Sequence, residues 1–455
     1  MHRNPSASLQ TPGSRLALVE ESRFGPLAYR LSVSTSDVAT PRVVHLSLVV
    51  GGTLRDVHGG RLGVVRDLIV RLGEDEYPPV TGLVAEVAGR QVFVPSDLVS
   101  DLAHGVVTLR RARLDLQPFE RRPQEVLLTK DVLDRQLINV EGARLVRSND
   151  IELARLEGWW RVVGVDTGPR GYMRRLLPRT VGRRIEAHSF VDWANVEPFT
   201  GHVPNVRLRV PHPKLRRLHP AELADLVEAA SHREGEEIIE AVGGDPELEA
   251  DLFEELEPGH QLEFVEERSD FEIAGLLARM ESDDAADLLA ELPEERREGV
   301  VELLPAVQRR RLRALLGYDP ATAGGMMSPD FICLYSQATR EEAIHRVEQS
   351  RHPADPITWL YVMNQQRRLT GAVHLVDLLR SEPGSVLREV AGPARRVRAD
   401  ADTEEVARLM TDYDLTVVAV TDEQERLVGV ITVDDVLELV LPRGWRRRFG
   451  LYGED

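Results

Sequence analysis

Two carboxylates at helical spacing are the first side chains of this sequence to indicate a chemistry. Asp283 and Asp287 stand four residues apart in the run DDAADLL, so a helix would place them on one face. Like charges at this spacing cost a helix roughly 0.2–0.5 kcal/mol unless a cation neutralises them. Mg²⁺ prefers carboxylate oxygens and keeps several of its waters. The spacing alone is compatible with a magnesium site and with a solvated acidic surface.

This pair lies in a block that carries the whole charge excess of the chain. The net charge is −18 over 455 residues, and residues 218–317 contain 28 acidic residues against nine arginines and no lysine. The remainder is nearly neutral. Such a block repels nucleic acid and attracts divalent cations or basic partners. We therefore expect no nucleic-acid partner.

Composition and motifs exclude several other classes of protein. Hydrophobic residues make up 42% of the chain and charged residues 29%, which is typical of globular proteins. No apolar run is long enough to cross a bilayer, and residues 1–14 lack the apolar core of a signal peptide. The single cysteine, Cys333, excludes a disulfide framework. We find no P-loop, metalloprotease motif or nucleophile elbow, and therefore expect a cytoplasmic protein that is not an enzyme.

The elements that must position the carboxylates follow from the hydrophobic pattern. Short apolar alternations at 62–70, 80–85 and 91–94 predict strands. Amphipathic stretches at 248–256, 261–267, 272–280, 284–292 and 297–304 predict short stacked helices with Pro or Gly at their joints. A strand–helix–strand pattern then occurs twice, with predicted helices at 340–349 and 403–413.

These patterns predict a multidomain α+β protein. The predicted segments are a flexible leader (1–40), two small β-barrels (41–120 and 121–178), a linker with a short strand at 206–210 (179–217), an acidic superhelical all-α domain (218–317), two α/β repeats (318–382 and 383–441) and a basic tail (442–455).

Particular segments give each part a family resemblance. The front half resembles the PRC-barrel family, best over residues 131–178, and the two α/β repeats resemble a tandem pair of CBS domains. From 219 to 441 the chain resembles the cytosolic half of the MgtE magnesium transporters. The segments that carry this resemblance are 219–225 (HPAELAD), 283–289 (DDAADLL), 318–329 (YDPATAGGMMSP), 404–416 (EEVARLMTDYDLT) and 426–437 (RLVGVITVDDVL).

The resemblance implies a site and a mechanism. In the family an acidic N domain faces the second CBS domain across bound Mg²⁺, and the CBS pair forms a homodimer. The N-domain positions that match are Asp251, Asp283 and Asp287, and the facing CBS positions are Glu404, Asp414, Asp435 and Glu438. Two acidic faces would repel at low Mg²⁺ and close when ions bridge them, which gates a pore in the family.

One departure from the family changes the expected role. After Leu441 the family continues into an acidic helix and a membrane domain, whereas this sequence reads PRGWRRRF and ends at Asp455. We therefore expect a Mg²⁺-sensing regulator of a separately encoded membrane divalent-metal transporter, associated with the membrane through that partner. Two alternatives stay open. The chain could be a pore-less transporter subunit, or an adaptor that senses ATP or another adenine nucleotide, because Thr432 and Asp435 have the spacing of adenosine-binding CBS pairs.

Overall fold

The protein is described here by a computed structural model that covers residues 43–73, 75–103, 105–111, 118–182, 185, 189–203, 212–350 and 356–440. The predicted leader, the strand predicted at 206–210 and the basic tail lie outside the described residues. The chain divides into two compact units, Met1–Asn139 with Val146–Arg209, and Val140–Leu145 with Val210–Asp455. No described helix is both long enough and apolar enough to cross a bilayer.

The first unit is built mainly of short strands, as the alternating sequence predicts. Its strands are β1 Val43–His45, β2 Thr53–Arg55, β3 Arg61–Arg71, β4 Val80–Val87, β5 Arg90–Pro95, β6 Val99–Ala103, β7 Val106–Leu109, β8 Glu125–Leu127, β9 Gln136–Asn139, β10 Arg144–Arg147, β11 Asp150–Leu156, β12 Trp159–Asp166, β13 Phe190–Asp192 and β14 Val196–Pro198. Its helices are α1 Leu46–Val49, α2 Pro169–Leu176 and α3 Arg179–Gly182.

Both predicted barrels contribute to one hydrophobic core. A seven-stranded sheet has the order β5-β4-β3-β2-β7-β6 with β8 on β3, and a four-stranded sheet has the order β1-β11-β12-β13. Strand β1 begins the first predicted barrel but pairs with β11 of the second, with Val44 opposite Leu153. Leu68 and Ile151 are buried in the same apolar cluster. The PRC-barrel resemblance stays a prediction, while the packing joins the two segments in one unit.

The predicted linker at 179–217 is wrong over residues 190–198. Strand β13 pairs with β12 and β14 pairs with β9, both antiparallel. Each strand has only three residues, so it carries no readable alternation, and its pairing partner is distant in the sequence. Phe190 packs so closely over Gly164 that a Cβ atom at position 164 would clash with its ring.

The acidic region of the second unit is helical throughout its predicted length. Its helices are α4 Pro220–Ala229, α5 His232–Val242, α6 Pro246–Glu254, α7 Pro258–Glu266, α8 Asp270–Leu277, α9 Ser282–Glu291, α10 Glu294–Leu303 and α11 Ala306–Leu315. Proline occupies the first turn of α4, α6 and α7, where its missing N–H costs nothing. His219 caps α4 by accepting the Ala221 N–H. Leu, Ile and Val side chains fill the interior and leave most carboxylates outside.

Two similar α/β repeats follow the helices, as the sequence repeat predicts. Their strands are β15 Ile332–Tyr335, β16 Trp359–Met363, β17 Leu369–His374, β18 Arg396–Arg398, β19 Val417–Thr421 and β20 Leu427–Thr432. Their helices are α12 Ala323–Met326, α13 Arg340–Glu348, α14 Leu375–Arg380, α15 Leu387–Val390, α16 Thr403–Tyr413 and α17 Val433–Val440. Each repeat has a three-stranded sheet in chain order, and Tyr361, Ala419 and Val430 belong to a core shared by both sheets.

Candidate metal site

The candidate site lies where helix α9 faces the second α/β repeat. Asp283 stands in the first turn of α9, which its buried Ala285, Leu288 and Leu289 hold against the helical core. Asp435 stands in the first turn of α17, directly after β20. The Oδ1 atom of Asp283 is buried and has no hydrogen-bond partner among the described residues. An ionised oxygen in that position is costly unless a cation or a proton compensates it.

The carboxylates around Asp283 raise one another's pKa. Burial raises the pKa of Asp283 well above its usual range, and repulsion from Asp435 adds to the effect. Burial raises the pKa of Asp435 to about 6 against the opposing hydrogen bonds from Thr432. Burial, followed by repulsion from Glu254 and Asp435, raises the pKa of Glu281 to about 7. The ionised forms are therefore poorly compensated by the protein itself.

Further acidic residues complete the group. Glu254 accepts the Glu281 N–H at 2.6 Å, and burial raises its pKa to about 7. Asp330 is buried, binds Arg311 at 2.7 Å and accepts a hydrogen bond from the Ser282 hydroxyl at 3.4 Å. Asp434 also repels Glu281. We define these six side chains as the acidic cluster: Glu254, Glu281, Asp283, Asp330, Asp434 and Asp435.

Thr432 and Asp435 interact with each other at the start of α17. The backbone N–H and the hydroxyl of Thr432 donate to Oδ2 of Asp435 at 2.7 and 2.6 Å. This arrangement is similar to a capping box: Thr432 stands directly before α17, and the side chain of Asp435, the third residue of the helix, binds back to it. The other carboxylate oxygen, Oδ1, takes no part in these two bonds.

The structure places the other predicted N-domain ligands differently. Asp251 is exposed on α6 and borders the acidic cluster by repelling Glu254. Asp287 is largely exposed, yet the neighbouring protein still limits its hydration and raises its pKa to about 6, with added repulsion from Glu291. Among the described residues, no hydrogen bond or ion pair joins Asp287 to the second repeat.

The remaining CBS-side residues do not join the acidic cluster in the described part of the chain. Glu404 is exposed and binds Arg408 at 2.7 Å within α16. Asp414 is exposed and ends α16 with a left-handed φ of 51°. Glu438 lies in α17, and its side chain is outside the described atoms. Of the predicted ligands, Asp283 and Asp435 repel each other, whereas Glu404 and Asp414 are exposed on α16 and at its end.

Three side chains whose ligand atoms are close enough to share one metal ion occur elsewhere in the described residues. Two groups have ligand atoms that all lie within 4.8 Å of one another: Glu228, Glu257 and His260, and His232, Glu236 and Glu267. The acidic cluster is more open than these groups. Its donors are all oxygens and its charge is poorly compensated, which fits a hydrated Mg²⁺ held by one or two carboxylates.

Four members of the acidic cluster were missed by sequence reasoning. Glu281 and Asp434 are each close in sequence to a predicted ligand, so widening the search around Asp283 and Asp435 would have found them. Glu254 and Asp330 offer no such signal. Glu254 reaches the site by accepting the Glu281 N–H, and Asp330 is held there by its ion pair with Arg311 of α11. Both contacts are tertiary.

Comparison with known proteins confirms the domain types predicted for the second unit, the MgtE N domain and the CBS pair. The family model described as the MgtE intracellular N domain matches residues 218–321. The CBS domain model matches residues 323–384 and 390–442. The second unit therefore contains an MgtE N domain followed by a CBS pair.

Curated relatives match less than half of the chain. The magnesium transporter MgtE of Thermus thermophilus is 34% identical over 195 residues, which are 42% of this chain and 43% of the relative. The magnesium transporter MgtE of Bacillus subtilis is 31% identical over 193 residues, again 42% and 43% of the two chains. The chain thus spans less than half the length of the curated relatives that it matches.

Two solved structures each cover half of the chain. The cytosolic domain of the Mg²⁺ channel MgtE, crystallised in complex with ATP, is 32% identical. It aligns with 50% of this chain and 92% of its own, with a TM-score of 0.47. The soluble part of a magnesium transporter is 24% identical and aligns with 50% of this chain and 89% of its own, with a TM-score of 0.45.

Proposed function

Because residues 218–442 are homologous to the cytosolic part of MgtE magnesium transporters, we propose that this protein senses Mg²⁺ through its acidic cluster. Mg²⁺ bound between the helical domain and the second CBS domain controls a divalent-metal transporter encoded separately. The protein acts at the cytoplasmic side of the membrane and carries out no catalysis. The single observation that carries the proposal is the buried Oδ1 atom of Asp283, which has no hydrogen-bond partner among the described residues although Asp435 repels this carboxylate.

The mechanism follows from the charges on the two faces. Asp283, Glu281 and Glu254 belong to the helical domain, whereas Asp434 and Asp435 belong to the second CBS domain. Without a cation, ionised carboxylates on both sides repel and favour separation of the faces. A bound Mg²⁺ removes this repulsion only in the closed arrangement, and this difference in affinity allows the ion to shift the equilibrium.

Small-angle scattering of the full chain across a millimolar Mg²⁺ titration tests this mechanism. The radius of gyration should fall with Mg²⁺ and should change little in NaCl of equal ionic strength. Asp283→Asn should blunt the response and should also make the Mg²⁺-free protein more compact, because one repelling charge is removed. The matched control is Asp412→Asn, since Asp412 is exposed on α16 outside the acidic cluster. A size change that is the same in NaCl, or that survives Asp283→Asn, contradicts the proposal.

The relation to a transporter needs its own experiment. Affinity purification of the full chain from its native membranes should recover a divalent-metal transporter, and Mg²⁺ flux should require that protein. Flux into liposomes that contain this chain alone would contradict the regulatory role. If the recovered transporter has a pore domain without a sensing half of its own, the alternative of a pore-less subunit is supported.

An adenine nucleotide is a second candidate ligand. Asp435 lies beside Thr432 at the junction of β20 and α17, and its Oδ1 is outside the two capping bonds, so a ribose hydroxyl could donate to it. Calorimetry with ATP should then show binding that Asp435→Asn weakens and Asp434→Asn leaves unchanged. The absence of heat with ATP would remove this candidate and leave the Mg²⁺ proposal standing.

We also propose that the CBS pair forms a homodimer. The two closing helices of the repeats, α14 and α17, carry exposed apolar side chains: Val376, Leu379, Val433, Leu437, Leu439 and Val440. An apolar stripe on surface helices is typical of an interface. A two-fold axis beside these helices would bury both stripes against their copies in the partner subunit.

A further inference from the structure

Helix α2 of the first unit has its apolar side chains outside and an arginine inside. Tyr172 and Met173 are each 50% exposed and Leu176 is 68% exposed. In contrast, the side chain of Arg174 has no exposed surface. A surface helix normally buries its apolar stripe and exposes its charges, so α2 is reversed.

Charge, rather than apolar packing, fixes the orientation of α2. Arg174 donates from Nη1 to Asp150 Oδ2 at 2.7 Å and from Nη2 to Asp166 Oδ2 at 3.2 Å. Its Nε donates to the carbonyl of Ile185 at 3.0 Å. Arg175 binds Asp134 through two hydrogen bonds of 2.5 and 2.6 Å. Rotating the helix to bury its apolar side would break these charge-assisted bonds and leave buried charges unpaired.

The exposed apolar surface continues onto α3. Leu177 is 37% exposed and Val181 is 46% exposed. Helix α3 packs against α2, since a Cβ at Gly182 would lie 2.7 Å from the Arg174 carbonyl oxygen. We define the α2–α3 patch as Tyr172, Met173, Leu176, Leu177 and Val181. Isolated exposed apolar residues are common on monomers, but neighbouring ones on rigid helices mark an interaction surface.

The charge of this segment opposes that of the chain as a whole. Residues 168–185 contain six arginines and no acidic residue, in a protein of net charge −18. Two of them, Arg174 and Arg175, are paired with acids as described above. Arg170 is exposed in the first turn of α2, and Arg179, Arg183 and Arg184 follow in sequence. An apolar surface thus lies within a basic stretch.

We propose that the α2–α3 patch docks on the surface of a bilayer that contains anionic lipid. Aliphatic and aromatic side chains that enter the headgroup boundary, flanked by arginines that meet phosphates, are the features of interfacial helices. A nucleic acid would meet the arginines but would give Met173, Leu176 and Leu177 no apolar environment. The patch lies in the first unit, so this proposal does not depend on the acidic cluster.

Co-sedimentation of the full chain with vesicles tests the proposal. The protein should bind vesicles of phosphatidylcholine that contain phosphatidylglycerol and should bind pure phosphatidylcholine vesicles far more weakly. In the double variant Met173→Ser with Leu176→Ser, the affinity for the anionic vesicles should fall by about tenfold or more, because this affinity scales with the apolar area inserted into the bilayer. Arg170→Glu should weaken binding to the anionic vesicles, and added NaCl should weaken it further. The control is Phe271→Ser, since Phe271 is 75% exposed on α8 of the acidic domain.

Each other outcome would overturn the proposal. Equal binding to both vesicles would exclude the charge contribution, and failure to bind the anionic vesicles would exclude docking altogether. Retained binding in the double variant, with circular dichroism confirming its fold, would place the contact elsewhere. If the double variant abolishes self-association measured without vesicles and the wild type ignores lipid, the patch is a protein contact. The Mg²⁺ response of the double variant should be that of the wild type, so failure here and failure of the proposed function are distinguishable.

Discussion

At the scale of single residues, burial rather than spacing distinguishes the two carboxylates that the sequence presents as a pair. Asp283 and Asp287 share one face of α9, as their spacing predicts. Asp283 nevertheless faces Asp435 with a buried oxygen, whereas Asp287 is largely exposed beside Glu291. Helical periodicity predicts which face of its own helix a side chain lies on. It contains no information about which other segment covers that side chain.

The raised pKa values predict a pH dependence of Mg²⁺ binding. The pKa values of Glu254 and Glu281 are raised to about 7 and that of Asp435 to about 6. These groups hold protons near pH 6 that Mg²⁺ must displace, so affinity should rise up to tenfold per pH unit for each proton displaced and level off above about pH 8. Calorimetry in buffers of different ionisation enthalpy measures both the affinity and the released protons. Affinity that is flat between about pH 6 and pH 8 would contradict these raised pKa values.

The same shifts predict how stability changes with pH. A carboxyl whose pKa is raised in the folded state stabilises the fold below its unfolded pKa and loses this contribution as the pH rises through its folded pKa. Without Mg²⁺, the melting temperature should therefore fall between about pH 5 and pH 8. Saturating Mg²⁺ should reduce that fall, because the ion replaces the lost protons. In Asp283→Asn the fall without Mg²⁺ should be smaller, while Asp412→Asn should follow the wild type.

At the scale of elements, the sequence predicted which segments are helical better than it predicted the residues at which the helices begin. Each of the five helices predicted between 248 and 304 is present but begins two or three residues earlier. The apolar pattern starts inside the first turn, whereas the helix begins at its capping residue or proline. Helices α5 and α11 were not predicted. Helix α11 contains four arginines in ten residues, so its apolar stripe is narrow.

Capping should contribute measurably to the stability of the acidic helices. Ser269 caps α8: its Oγ accepts the Glu272 N–H at 3.3 Å, and its own N–H donates to the Glu272 carboxylate at 2.8 Å. Ser269→Ala should lower the free energy of unfolding by about 1 kcal/mol. Thermal melting measures this loss, and Ser269→Asp should restore most of it because aspartate also caps. An Ala variant as stable as the wild type would show that tertiary packing alone defines the start of α8.

At the scale of the whole molecule, the sequence predicted the classes of domain but not how the front half packs. The N domain and the CBS pair were recognisable because their motifs are local and occur in order. In the first unit, β1 and β11 pair across about a hundred residues, and β13 lies in what the composition indicates to be a linker. Such pairings join strands of three residues to distant partners, so neither partner reveals the other. The reversed helix α2 was hidden for a similar reason, since the acids that bury Arg174 belong to strands β11 and β12.

The proposed homodimer gives the last prediction. Leu437 and Leu379 are 46% and 52% exposed on the closing helices of the two CBS repeats. A glutamate at either position would place a charge in an apolar contact, and disruption of such a central contact typically costs about 2 kcal/mol, or roughly thirtyfold in Kd.

Sedimentation equilibrium should therefore show a dimer for the wild type and mainly monomer for Leu437→Glu at the same concentration. Leu303→Glu is the matched control, because Leu303 is 51% exposed on α10 of the helical domain. If that control dissociates the dimer while Leu437→Glu leaves it intact, the subunits meet through the helical domain. The closing helices of the CBS pair would then be left for a different partner.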